Sequence, residues 1–183
     1  PMHYARAFTG MAISYATGPR GACHLKGDYY NVDLGSAIPE LGIMSGDRLQ
    51  SEGKAEPAAK FQNYKDMFDS LLMCKFAPLS ATQISQMLSS ITGWTYTAED
   101  LNTTGERSIN LKRAINNKLG VTREDDRLPS PCVIALEEGS TAGKSPDMGT
   151  LLKEYYDFRK WDWNTGKPTK EKLIELGLED VAR

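Results

Sequence analysis

Helix punctuation constrains this chain more than any other feature of its sequence. Ser80, Thr97, Asp147 and Thr169 each stand directly before a stretch with apolar residues at helical spacing, and Gly18-Pro19, Pro78, Gly93, Gly120 and Gly177 stand after such stretches. Hydroxyl and carboxylate side chains cap helix N-termini, glycine accepts the left-handed turn past a C-terminus, and proline cannot continue a helix. Strand-like alternation is scarce between these marks. The expectation is an all-α fold: an irregular multi-helix domain with two substantial loops, spanning residues 1–183 as a single helical unit.

The spacing predicts helices as follows. Residues 4–16 place Phe8, Met11, Ala12 and Tyr15 on one stripe, with Gly10 free for close packing. A second helix is expected from Pro57, at a first-turn position, to about Phe76, with Phe61, Tyr64, Phe68, Leu71 and Leu72 as its apolar face. Ser80 opens a third, through Leu88 and Ile91. Thr97-Ala-Glu-Asp100 has the form of a capping box and opens a fourth that runs to Leu119. Asp147 caps a fifth, carrying Leu151, Leu152, Tyr155, Tyr156 and Phe158, and Thr169 begins a last short one. Residues 27–53 and 120–148 hold the glycines and prolines of the two loops.

Composition excludes several functions. A net charge of -2 with both signs interspersed leaves no footprint for nucleic acid. No apolar run is long enough to span a membrane, and the first residues lack the layout of a signal peptide. Three widely spaced cysteines (Cys23, Cys74 and Cys132) make no disulfide framework and point to a reducing compartment, expected to be the cytoplasm. The chain starts on Pro1 with its amphipathic pattern under way at once, which reads as a piece of a longer protein.

Two short segments carry the chemistry. In Arg20-Gly-Ala-Cys-His-Leu-Lys26, extended backbone would point His24 and Lys26 the same way. An ammonium suits an anionic ligand and an imidazole moves protons near neutral pH. Gly21 and Ala22 would let a bulky cofactor approach the main chain. The spacing alone is met more simply by a loop histidine packed under the first helix and a solvated lysine. The other segment, Asp69-Ser-Leu-Leu-Met-Cys74, offers a carboxylate and one thiol. A lone thiol on an amphipathic helix is ordinarily a small buried hydrophobe. Cys74 however stands where the helix is about to end. Asp69 and Cys74 would lie about 140° apart on an ideal helix, so serving one ligand requires a turn near Leu72-Met73. One thiol cannot hold an iron–sulfur cluster, which takes four ligands.

Several motifs in order then carry a resemblance. Pro1-Met-His-Tyr-Ala-Arg-Ala7, Tyr15-Ala-Thr-Gly-Pro-Arg-Gly-Ala-Cys-His-Leu25, Ser51-Glu-Gly-Lys54, Gly105-Glu-Arg-Ser-Ile-Asn110, Arg123-Glu-Asp-Asp-Arg-Leu-Pro129 and Tyr155-Tyr-Asp-Phe-Arg-Lys-Trp161 together resemble the C-terminal domain of the aldehyde:ferredoxin oxidoreductase family. The resemblance implies tungsten (or molybdenum) held by two pterin dithiolenes, with a [4Fe–4S] cluster close by. It implies a ligand role toward the cluster for Cys74, with three further ligands elsewhere, and pterin contacts for Lys26, Asp69 and Met73. His24 falls on a position beside the metal that assists proton transfer or orients the substrate oxygen. Leu72 stands where the family motif has Gly, and Met73 where it has Leu. Implied partners are the remaining domains of the same enzyme, ferredoxin or another electron-transfer protein, and an aldehyde. The tungsten subunit of ATP-independent benzoyl-CoA reductase, with an acyl-CoA, is the family's alternative. A homo-oligomer or larger complex is expected, the domain alone being inactive. A non-catalytic helical interaction module is the reading from a different class.

Smaller signals receive structural roles. Lys112, Arg113, Lys118 and Arg123 read as a solvated face diluted by Glu106, Glu124 and Asp125. Tyr155, Tyr156, Trp161 and Trp163 read as an aromatic anchor for the last helices, and His3 and Cys132 receive no chemistry.

Overall fold

A computed structural model of the chain describes residues 3–21 and 23–182. The fold is all-α: α1 (Thr9–Ala16), α2 (Tyr30–Asp33), α3 (Ala55–Ser70), α4 (Ala81–Thr92), α5 (Ala98–Lys118), α6 (Ser130–Val133), α7 (Met148–Arg159) and α8 (Lys170–Glu175). Among the described residues only isolated β-bridges occur. The caps fall where the sequence places them. Ser80 and Gln83 form a capping box, as do Thr97 and Asp100, while Asp147 and Thr169 cap through single side chains. Past α5, Gly120 takes φ +100 and lets Val121 N–H reach the Asn116 carbonyl at 3.0 Å, the closed end that a left-handed residue makes possible.

Helix α3 is the axis of the domain. It packs chiefly against α5 and also against α7 and α1. Phe61, Tyr64, Met67 and Phe68 of α3 meet Ile13, Leu101, Ile109, Leu151, Tyr155 and Tyr156 in one core. Burial of each such side chain contributes roughly 1.5–3 kcal/mol. Where α3 crosses α5 the two main chains touch: a Cβ built on Gly105 would lie 2.1 Å from the Asn63 carbonyl oxygen. Gly10 plays a similar part in α1, against the ring of Tyr29.

Two helix boundaries need correction. The first helix starts at Thr9 rather than at residue 4, since residues 4–8 form turns closed by Ala7 and Phe8 N–H on the Tyr4 carbonyl. The second ends at Ser70, not at Phe76, and Leu72 is 94% exposed instead of lying on its apolar face. On the polar side of α3, Gln62, Asn63, Lys65 and Asp66 are all buried; α5 and α7 supply partners to Asp66, Gln62 and Asn63, and the loops supply those of Lys65. Arg159 of α7 donates to Asn63 Oδ1 at 2.6 Å, Gln62 Oε1 at 3.1 Å and the Ala59 carbonyl at 3.0 Å, and Tyr155 donates to Gln62 at 2.7 Å.

The basic strip also divides. Arg113 is buried and forked onto Asp126, Nη1–Oδ1 at 2.7 Å and Nη2–Oδ2 at 2.8 Å, with its Nε on the Gly166 carbonyl at 2.7 Å. Lys112 pairs with Asp66 at 2.6 Å. These two are therefore structural ion pairs and not part of a solvated face. The aromatic anchor is as expected, with Tyr155, Tyr156 and Trp161 buried edge-to-face.

Candidate functional site

The site is built at the C-terminal end of α3. There Leu72 N–H donates to the Asp69 carbonyl at 3.2 Å and Met73 N–H to the Phe68 carbonyl at 2.8 Å, and Leu72 adopts φ +56. This paired bonding closes a helix through a left-handed residue, a place usually held by glycine. The turn required between Asp69 and Cys74 thus exists at Leu72. Leucine accepts the conformation with its side chain in the open. Met73 is half-buried against the core and the Cys74 thiol, beyond the turn, is exposed.

Main-chain carbonyls anchor the segment that carries Cys74. Lys65 Nζ donates to the Lys75 carbonyl at 2.7 Å, while Lys75 Nζ donates back to the Lys65 carbonyl at 3.0 Å and across to the Leu25 carbonyl at 2.8 Å. Tyr64 Oη donates to the Leu79 carbonyl at 2.6 Å. The Leu25 bond brings the second segment in. Cys23 is extended, but residues His24–Lys26 form one 3-10 turn, so the extended geometry expected for them is not found. At three residues per turn, positions i and i+2 point about 120° apart. Lys26 therefore faces α3 and His24 faces elsewhere.

Lys26 Nζ pairs with Asp69 Oδ2 and lies 4.0 Å from Asp66. Lys75 reaches the same Asp69 oxygen at 3.1 Å, and Lys65 stands 3.7 Å from Asp28. With Lys112 on Asp66, four ammonium groups face three carboxylates. The cluster carries one positive charge in excess, and most of its members are buried. Burial disfavours the charge on Asp69, but hydrogen bonds from Lys26 and Lys75 outweigh it and hold the carboxyl below its ordinary range. Burial pulls Lys75 and Lys65 below the usual ammonium range, against the attraction of Asp69 and Asp28 respectively.

Of the residues singled out from sequence, Lys26 and Asp69 are joined directly, and Met73 and Cys74 follow in the same turn. Among the described residues no hydrogen bond or ion pair joins His24 to them; its ring instead meets that of His3 at 5.5 Å between centroids. Ala22, expected to let a cofactor approach, lies outside the described residues. Sequence reasoning missed Lys65, Lys75, Asp66 and Asp28. Only Lys75 carried a signal, its place next to Cys74. The other three sit on what reads as an ordinary polar face or loop.

An anion and a cluster test this arrangement differently. The excess ammonium charge behind Asp69 fits an anionic pterin placed on the Lys26 side. The exposed Cys74 thiol fits a single cluster ligand. Among the described residues no group of three or more His, Cys, Asp or Glu side chains is placed to hold a metal ion, so further cluster ligands would come from outside them. No helix is long and apolar enough to cross a membrane.

Residues 1–178 match the family model described as aldehyde ferredoxin oxidoreductase, domains 2 & 3. The chain is 32% identical over 98% of its length to the tungsten-containing aldehyde ferredoxin oxidoreductase of Pyrococcus furiosus, and 30% identical over 98% to that of Pyrococcus abyssi. It spans 30% of the length of each of these relatives. Among solved structures, the active site complex of benzoyl coenzyme A reductase with 1,5-dienoyl-CoA superimposes at a TM-score of 0.58, with 20% identity, over 85% of this chain and 23% of that one. That likeness is one of fold.

Proposed function

Because the chain belongs to the aldehyde ferredoxin oxidoreductase family, we propose that it is the cofactor-gripping domain of a larger tungsten (or molybdenum) pterin enzyme that oxidises aldehydes to carboxylic acids. The observation that carries the reading is the Lys26–Asp69 pair, which ties segments 43 residues apart together beside the Cys74 turn. When bound, the metal supplies two-electron redox chemistry and the cluster passes electrons singly to ferredoxin or a similar protein.

The residues of this chain have separable tasks. Cys74, as thiolate, would be one ligand of a [4Fe–4S] cluster. Lys26 would face the anionic pterin with an ammonium group already set in place by Asp69, which accepts from it and from Lys75. Met73 would pack against the ring system from the same turn. His24 would hold the proton released in the reaction at a ring nitrogen. The remaining domains of the enzyme would supply the other cluster ligands and the opposite wall. A cytoplasmic, oligomeric enzyme in which this domain alone is inactive completes the reading.

Anaerobic metal analysis with EPR on the full-length protein tests it. The expected result is tungsten or molybdenum with about four irons per chain, and loss of the cluster signal in Cys74→Ser. A folded, metal-free full-length protein would refute the reading and leave a helical interaction module. Assays with aldehydes and with cyclic acyl-CoA thioesters separate the two substrate classes.

A further inference from the structure

The ring of His3 lies flat on Tyr30, with centroids 3.6 Å apart and planes 14° from parallel, and meets His24 edge-on at 5.5 Å and 70°. Phe8 closes another side at 6.4 Å. The backbone between His24 and Tyr30 is shaped to make this packing. Asp28 N–H donates to the His24 carbonyl at 2.7 Å, and Asp28 adopts φ +40, a left-handed conformation costly for a residue with a Cβ. That turn delivers Tyr30, at the start of α2, beneath His3. The Asp28 carboxylate is 1% exposed, with Oδ2 3.7 Å from Lys65 and, among the described residues, no hydrogen-bond partner on Oδ1. Strain and an unsatisfied buried oxygen thus fall together behind two adjoining imidazoles.

Two imidazoles this close do not titrate independently, because charge on one disfavours charge on the other. We propose that His3 is the second imidazole of a proton relay with His24, positioned by its stack on Tyr30, and that the pair passes one proton at a time between the cofactor side of the domain and solvent. The relay rests on the reading of His24 as the residue that receives the reaction's proton. A proton arriving on a nitrogen of His24 passes to His3 through a bridging water and is matched by one leaving His3 to solvent, and both rings end neutral. The groups facing the pair are Asp28 from the turn, Tyr30 from α2 and Tyr15 from α1. Burial and the neighbouring His24 hold His3 below the usual imidazole range, with Asp28 opposing them. Burial raises Tyr15 and keeps its phenol protonated. His3 is therefore neutral at neutral pH.

The test uses the full-length protein, with 15N-labelled histidine, from cells grown without tungsten or molybdenum, titrated by NMR, and the metal-loaded enzyme for pH–rate profiles. His3→Phe keeps a ring on Tyr30 but has no nitrogen, and Tyr30→Leu keeps the nitrogen but removes the platform. The expected result is that His24→Gln moves the His3 titration to higher pH, because the neighbouring charge that lowers it is gone, and that His3→Phe lowers kcat about a hundredfold, the low end of the range typical of acid–base groups, with a changed pH–rate profile. Tyr30→Leu should move the His3 titration. An unmoved His3 titration in His24→Gln, or an unchanged kcat with a superimposable pH–rate profile in His3→Phe, in an enzyme that His24→Gln inactivates, would overturn the relay alone. Full activity in His24→Gln would overturn the reading of His24 and the relay with it.

Discussion

Replacing Gly105 by alanine probes the contact on which the domain's geometry depends. The added Cβ would sit 2.1 Å from the Asn63 carbonyl oxygen, 2.6 Å from its carbon and 2.9 Å from its Cα. Ordinary carbon–oxygen contacts are no closer than about 3.3 Å, so α3 and α5 must separate by about 1 Å. The obstacle is main chain in the middle of a helix and cannot rotate aside. Overpacking of this kind costs about 1–3 kcal/mol, and the upper end applies here. Asn63 also accepts from Arg159 at 2.6 Å, and Arg159 is fully buried with no carboxylate partner among the described residues. Disturbing that bond adds about 1–3 kcal/mol. Alanine's better helix propensity returns about 1 kcal/mol. The expected net loss is about 3–5 kcal/mol, or about 6–20 °C in Tm for a chain of this size. Thermal unfolding followed by circular dichroism measures it. Gly46→Ala, whose Cβ would meet nothing within 4 Å, should be neutral. A Gly105→Ala protein as stable as its parent, or more stable, would refute the argument and show that the helices yield.

Two further outcomes can be measured in the same way. Leu72→Gly should stabilise the chain by about 0.5–1 kcal/mol, because it relieves a left-handed leucine and gives up no packing, less glycine's entropic cost; a loss of stability would show that Leu72 is not strained. Asp69 has its carboxyl held below the ordinary range in the folded state. Its contribution is thus present above the unfolded carboxylate pKa and fades as the pH falls through the lowered folded value. Urea unfolding across the acid range should show a shallower pH dependence in Asp69→Asn than in the parent, and identical slopes would exclude the ion pair as a source of stability.

The fold was legible where side chains act locally. Caps at Ser80, Thr97, Asp147 and Thr169 depend only on residues three positions away, and sequence spacing reports them directly. The C-terminus of α3 was misread because Leu72 and Phe76 continue an apolar pattern that the chain leaves in the open; the left-handed turn at Leu72 has no glycine to announce it. The same limit applies to Lys112 and Arg113. Each reads as a solvated charge until a partner from a distant segment is known. Lys26 and Asp69 were legible as a pair only through resemblance, and the 3-10 turn that parts Lys26 from His24 left no mark in the spacing.

The reciprocal bonding of Lys65 and Lys75 has a consequence for how the cysteine turn can change over time. What holds the turn is largely peptide oxygen, at Lys65, Lys75, Leu25 and Leu79, and every amino acid offers the same peptide oxygen. The side chains at Leu72 and Phe76, both exposed, are consequently released from the duty of keeping the loop in shape. Substitutions there can retune what the surface meets while the thiol stays where it is, so that variation of the exposed side chains and permanence of the thiol's position are compatible within one turn.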